Sequence, residues 1–77
     1  MEVITIKDRE IELFKLLKFA GLVQSGGEAK HVIEAEQVSV NGEIETRKRK
    51  KIGNDDVVAY GGEAVVVRCL KDGEEDV

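Results

Sequence analysis

Apolar residues recur at spacings of three and four through Leu13, Leu16, Leu17 and Ala20. That period gathers them on one stripe and predicts an amphipathic helix from about Arg9 to Ala20. Asp8 is placed to cap its start, and Glu10 and Glu12 in the first turn suit the positive end of the helix dipole. Gly21 suits the left-handed position just past the end, with Leu22 packing back on Leu17 as in a Schellman ending. Ser25-Gly26-Gly27-Glu28 reads as a capping box. Here the Ser25 hydroxyl accepts from the Glu28 N–H, and the Glu28 carboxylate returns to Ser25. A second helix then runs to about Glu36, with Ala29, Val32 and Ile33 inward and Lys30 and Glu34 outward.

After Gln37 the period changes to two. Val38-Ser39-Val40 reads as a strand, and Asn41-Gly42 is a strong hairpin signal. A two-residue loop would set Val40 opposite Glu43 and leave Ile44 facing out. Keeping Ile44 inside with Val38 and Val40 needs an odd loop, so a three-residue loop with Gly42 left-handed is expected. Gly53-Asn54-Asp55-Asp56 reads as a turn, Val57 to Tyr60 as a strand, Gly61-Gly62 as a tight connection and Ala64 to Leu70 as the last strand. Val3 to Ile6 reads as a first edge strand. The fold class is therefore α+β, with two helices packed on a small, mostly antiparallel sheet.

With 77 residues there is room for one small domain with a modest core and little space for an enclosed active-site cavity. The domain is expected over residues 1–71, with an acidic, flexible tail over 72–77. Residues 71–77 carry one positive and four negative charges, so without them the net charge moves from −4 to −1. The lone Cys69 excludes an internal disulfide and fits a reducing compartment. No apolar run approaches the roughly 18 residues of a membrane span, and the N-terminus lacks the basic and apolar regions of a secretion signal. A cytoplasmic monomer is expected.

Against this near-neutral body stands Arg47-Lys48-Arg49-Lys50-Lys51, five of the 12 basic residues in adjacent positions. Their mutual repulsion is relieved if an external polyanion supplies the counter-charge, and nucleic-acid phosphate is the commonest one. The alternative is a solvated loop. If the run is extended, Arg47, Arg49 and Lys51 share one face and Lys48 and Lys50 the other. Lys15 and Lys18 share a face of the first helix. Lys30 sits against the dipole near the start of the second, which hints at another role. Gly26-Gly27 exposes backbone N–H groups at a helix start, and Asn41 offers a side-chain amide at a hairpin tip.

Catalysis is poorly supplied. His31 is the single histidine, and one histidine with one cysteine cannot build a closed zinc site. Neither glycine pair is followed by the lysine and hydroxyl of a phosphate loop. No enzyme activity, cofactor or metal is expected. The three aromatic residues, Phe14, Phe19 and Tyr60, are assigned to the core, which argues against a stacking platform and for recognition of structured RNA through shape and phosphate.

Taken in order, Leu16-Leu17-Lys18-Phe19-Ala20-Gly21-Leu22, Ser25-Gly26-Gly27-Glu28-Ala29-Lys30, Val38-Ser39-Val40-Asn41-Gly42-Glu43 and Asp56-Val57-Val58 resemble the S-four RNA-binding domain. This is the αL motif first named for a small-subunit ribosomal protein. The "Ser-Gly-Gly-Glu-Ala-Lys … Val-Asn-Gly-Glu" form is similar to small stand-alone bacterial members. The resemblance implies RNA at Lys15, Lys18, Ser25, Gly26, Gly27, Lys30, Asn41 and the run Arg47 to Lys51, with ribosomal or transfer RNA, and so the ribosome, as partner. The chain departs from many members at Glu12, where they carry arginine, and at Gly26 and Gly27, where they carry basic residues. The basic run is expected to compensate. A protein-interaction adaptor, its basic loop meeting an acidic protein partner, stays open as the other reading.

Overall fold

The computed structural model describes residues 1–70, so the expected tail over 72–77 lies outside the described residues. Nine elements follow in order: β1 Glu2–Ile6, β2 Glu10–Glu12, α1 Leu13–Phe19, α2 Gly26–Glu34, β3 Val38–Val40, β4 Glu43–Ile44, β5 Lys51–Gly53, β6 Val57–Tyr60 and β7 Glu63–Cys69. A five-stranded sheet runs β1-β7-β6-β3-β4, and β2 and β5 form a separate two-stranded ribbon. β1 lies parallel to β7, and the other pairs are antiparallel. The architecture is the expected one: two helices on a mostly antiparallel sheet.

The helical stripe of Leu13, Leu16 and Leu17 is fully buried, as are Ala29 and Ile33 of α2. They meet Val38, Val58, Val65 and Val67 from alternate positions of the strands, so the two periods read from the sequence converge on one core.

The start of α1 differs from the reading above. Glu10–Glu12 is not a first helical turn but a strand, pairing Ile11 with Ile52 and Glu12 with Lys51. The residue before the helix is Glu12, whose side chain makes no capping bond, and Asp8 is not the cap. Instead the first helical N–H groups donate to the basic segment's backbone: Leu13 N to Lys50 O at 2.9 Å and Phe14 N to Lys48 O at 3.0 Å. A distant loop thus satisfies donors that a local cap would ordinarily take. The end of α1 is as expected. Gly21 has φ +77, its N–H donates to Lys18 O, and Leu22 N–H donates to Leu17 O, the paired bonds of a Schellman motif.

Ser25 caps α2 through Glu28 N–H to Ser25 Oγ at 3.1 Å, but the Glu28 carboxylate accepts from Gln24 N, one residue earlier than expected. α2 ends at Glu34 rather than Glu36. Glu36 N–H donates to Ile33 O and Gln37 N–H to Val32 O, a second Schellman ending. It places Glu36, not a glycine, at φ +64.

The hairpin loop is two residues long. Asn41 and Gly42 both have positive φ, Val40 pairs with Glu43, and Ile44 is exposed. The expected three-residue loop is therefore wrong. Two successive left-handed residues match the strand twist in a two-residue turn, and burial of one edge isoleucine does not outweigh that. The last strand spans Glu63–Cys69 rather than Ala64 to Leu70.

Two stability measurements follow. Glu36→Gly relieves a left-handed residue and removes an acid from the negative end of α2, and should raise unfolding free energy by about 1 kcal/mol in urea titration. Ile52→Ala empties the fully buried centre of the β2–β5 ribbon and should cost about 3 kcal/mol.

Candidate nucleic-acid interface

The basic segment is not extended. Lys50 N–H donates to Arg47 O at 3.2 Å, closing a turn over Arg47–Lys50 before β5 begins at Lys51. The alternation of faces expected for an extended run does not occur. Because the carbonyls of Lys48 and Lys50 hold the start of α1, the turn is anchored to the helix that carries Lys15 and Lys18.

Nor is the run's charge unopposed within the chain. Arg47 Nε lies 2.8 Å from Glu45 Oε2, Lys48 Nζ 2.6 Å from Glu34 Oε2, Arg49 Nη1 3.6 Å from Glu12 Oε2 and Lys51 Nζ 3.7 Å from Glu10 Oε2. These carboxylates come from β2, α2 and the strand end before the run, elements that sequence spacing alone does not bring together. The Arg47 guanidinium bonds draw the Glu45 carboxyl below its ordinary value, and Glu45 also accepts from the Arg47 backbone N–H. The hydrogen bond and charge of Lys48 do the same to Glu34. The arginine is correspondingly harder to deprotonate. All the basic members of these pairs keep exposed side chains, so solvent screens them and they are weak clamps.

The predicted lysines join this turn through shared partners. Glu12 pairs with both Arg49 and Lys15, the latter at 3.5 Å. Lys30 Nζ sits 4.9 Å from the centroid of the Phe14 ring and Lys15 Nζ 5.8 Å from it. The misplaced charge of Lys30 thus has a local partner, the π face of Phe14. Lys18 forms no ion pair among the described residues. Gly26 lies opposite α1 and lines a groove with Lys15 and Lys18.

Two predicted residues are occupied structurally. Ser25 is the α2 cap. Asn41 donates Nδ2–H to Asp56 Oδ1 and accepts from Val57 N–H at Oδ1, so its amide pins the hairpin tip to the neighbouring turn. It still borders a depression with Arg47 and Lys50. Gly27 is exposed, and a Cβ there would come no closer than 3.9 Å, to Ser25 Oγ.

Phe19 was assigned to the core but is 61% exposed, whereas Phe14 is half-buried against the core. At 100° per residue Phe14 and Phe19 fall about equally far off the leucine stripe, on opposite sides of it, so helical angle alone does not say which of the two is covered. Cys69 is buried and its Sγ–H donates to Arg9 O at 3.2 Å. Among the described residues, no three His, Cys, Asp or Glu side chains cluster closely enough to hold a metal ion.

Comparison with known proteins fits this geometry. The chain is 44% identical over 61 residues to the Escherichia coli protein named "Putative RNA-binding protein YbcJ", covering 79% of this chain and 87% of that one. It is 39% identical over 59 residues to the Bacillus subtilis "Probable ribosome maturation protein RlbA", covering 77% and 83%. The solution structure of YbcJ, described as revealing an αL motif involved in RNA binding, superposes with a TM-score of 0.68 at 40% identity, over 88% of this chain and 87% of that one. The 30S ribosomal protein S4e of Thermoplasma acidophilum superposes with a TM-score of 0.63 at 25% identity, over 75% of this chain but 31% of that one. The family model described as the S4 domain matches residues 4–68, most of the chain, and this chain belongs to the S4 domain family.

Proposed function

We propose that this chain is a non-catalytic RNA-binding protein that recognises structured RNA through the surface joining α1, the start of α2 and the Arg47–Lys51 turn. The observation that carries the reading is the backbone link between Lys48 and Lys50 and the start of α1. It holds five cations in a fixed relation to Lys15, Lys18 and Lys30, so phosphates meet a surface shaped in advance. A pre-shaped cationic surface with few base-reading groups suits the geometry of a folded RNA backbone. Relatives named for RNA binding and ribosome maturation support ribosomal RNA, or transfer RNA on the ribosome, as the partner. No helix among the described residues is long and apolar enough to cross a membrane. A cytoplasmic location and a monomeric state belong to the same proposal.

Phosphates must compete with Glu10, Glu12, Glu34 and Glu45 for the same cations. The cations of these pairs are exposed and screened by solvent, so a polyanion displaces the carboxylates at small cost. Release of counterions from the RNA supplies the driving force. That carboxylates pair with these cations within the chain is what favours the second reading, an adaptor whose turn meets an acidic protein segment. Binding to purified RNA with no protein partner present separates the two.

If about four to six phosphates are contacted, log K against log salt should fall with a slope of roughly −3 to −5. Replacing Arg47–Lys51 with glutamines should weaken RNA binding and flatten that slope while the circular dichroism spectrum stays native, because the backbone carbonyls that cap α1 remain. An unchanged slope contradicts the proposal.

The ion pairs also carry a pH signature. Glu34 and Glu45 have folded-state values below their ordinary 4.5, so their pairs persist at and above that pH and are lost as pH falls through the lowered values. The Arg47 amide resonance should therefore titrate with a midpoint below 4.5. A midpoint at or above 4.5 would show that the Glu45 pair does not form in solution.

A further inference from the structure

Beside the cationic turn lies a groove of about 500 Å³ formed by Ile11, Phe14, Lys15, Lys18, Phe19 and Gly26. Its lining is mostly apolar and its rim is cationic. Phe19 is the exposed member of the chain's three aromatic residues, and it also lines a smaller depression with Thr5, Ile6 and Lys7. Lys30 and Lys15 both stand over the Phe14 ring, at 4.9 and 5.8 Å from its centroid, whereas no cation is placed over Phe19 among the described residues. Lys18, the neighbour of Phe19 in sequence, forms no ion pair among the described residues. Gly26 completes the lining, and a Cβ there would meet nothing within 4 Å, so the groove is open at that side and only a longer side chain would reach into it.

An occupant of such a groove needs a flat apolar body and an adjoining negative charge. We propose that the groove takes a single unpaired nucleotide extruded from the bound RNA, its base stacked on Phe19 and its phosphate held by Lys18 and Lys15. This rests on the RNA-binding reading and adds a specificity element to it. Charge decides for a nucleotide over a neutral apolar group, and the groove is continuous with the cationic turn because Glu12 pairs with both Lys15 and Arg49. Unstacked bases of loops and bulges are the parts of structured RNA open to an aromatic ring. A solvent-exposed phenylalanine 61% uncovered has little packing reason to stand there, whereas stacking one base on it gains affinity in a sequence-tolerant way.

The test compares two hairpin RNAs, identical except for a single-nucleotide purine bulge in the stem of one. Both are titrated with the full chain at fixed salt. The readout is the bulge preference, the ratio of the two affinities. The native chain should favour the bulged RNA about tenfold or more, as expected for one stacked base. Phe19→Ala should lose the preference, and Phe19→Trp should keep it. Gly26→Leu, which reaches into the groove, should reduce it. Circular dichroism on each variant excludes unfolding, and Phe19 lies outside the core. If both RNAs bind with salt-dependent affinity but without preference, or Phe19→Ala retains it, the inference is overturned and the RNA-binding reading stands. Binding to neither RNA overturns both. Should an acidic, leucine-containing peptide instead shift the Phe19 resonances while the bulged RNA does not, the groove belongs to a protein partner and the inference is equally overturned.

Discussion

Two hydrogen bonds tie the molecule together: Leu13 N–H to Lys50 O and Phe14 N–H to Lys48 O. An isolated seven-residue helix is far too short to be stable in water, and this one has no side-chain cap. Its leading donors are satisfied by backbone from the basic segment, and that backbone is aligned by the β2–β5 ribbon with Ile52 fully buried. The core packing of α1 and the position of the cationic turn are thus one arrangement. A change that loosens the ribbon moves both, which couples the stability of a small domain to the shape of its charged face.

The same constraint explains how five adjacent cations are tolerated. The turn over Arg47–Lys50 points them in different directions, and acids from β2 and α2 and from Glu45 stand beside four of them. Paired weakly and in solvent, these cations are held in position without being neutralised for good. On the proposed RNA-binding reading, such a surface resists casual contacts more than an unpaired lysine patch would and gives way to a polyanion that matches several positions at once.

Much of the fold was legible in the sequence because local signals agreed with the tertiary outcome. The leucine stripe, the Gly21 ending, the Ser25 cap and the strand Val57–Tyr60 each form where their chemistry predicts. The misreadings have opposite causes. Glu10-Ile11-Glu12 has the charges of a helix start, and nothing local says that Ile11 pairs with Ile52 instead. The hairpin loop followed turn chemistry over the burial of Ile44, a residue at the sheet edge. The candidate site shows the same division. Its cations were visible as a run and as helical neighbours, but their carboxylate partners and the meeting of Lys30 with Phe14 depend on contacts between elements distant in the chain. Phe14 and Phe19 stand about equally far off the leucine stripe, and which of them is covered depends on how α1 meets the elements around it, not on the helix alone.

The most direct test of the account is an amide chemical-shift map of the chain titrated with a structured ribosomal RNA and, separately, with duplex DNA of equal length. The account predicts one contiguous set of perturbed resonances with RNA, taking in Lys15, Lys18, Gly26, Gly27, Lys30 and Arg47–Lys51 together, and weaker changes with DNA. Perturbation of the Arg47–Lys51 turn alone, or equal response to both nucleic acids, would contradict a pre-shaped RNA surface built on the link between that turn and α1.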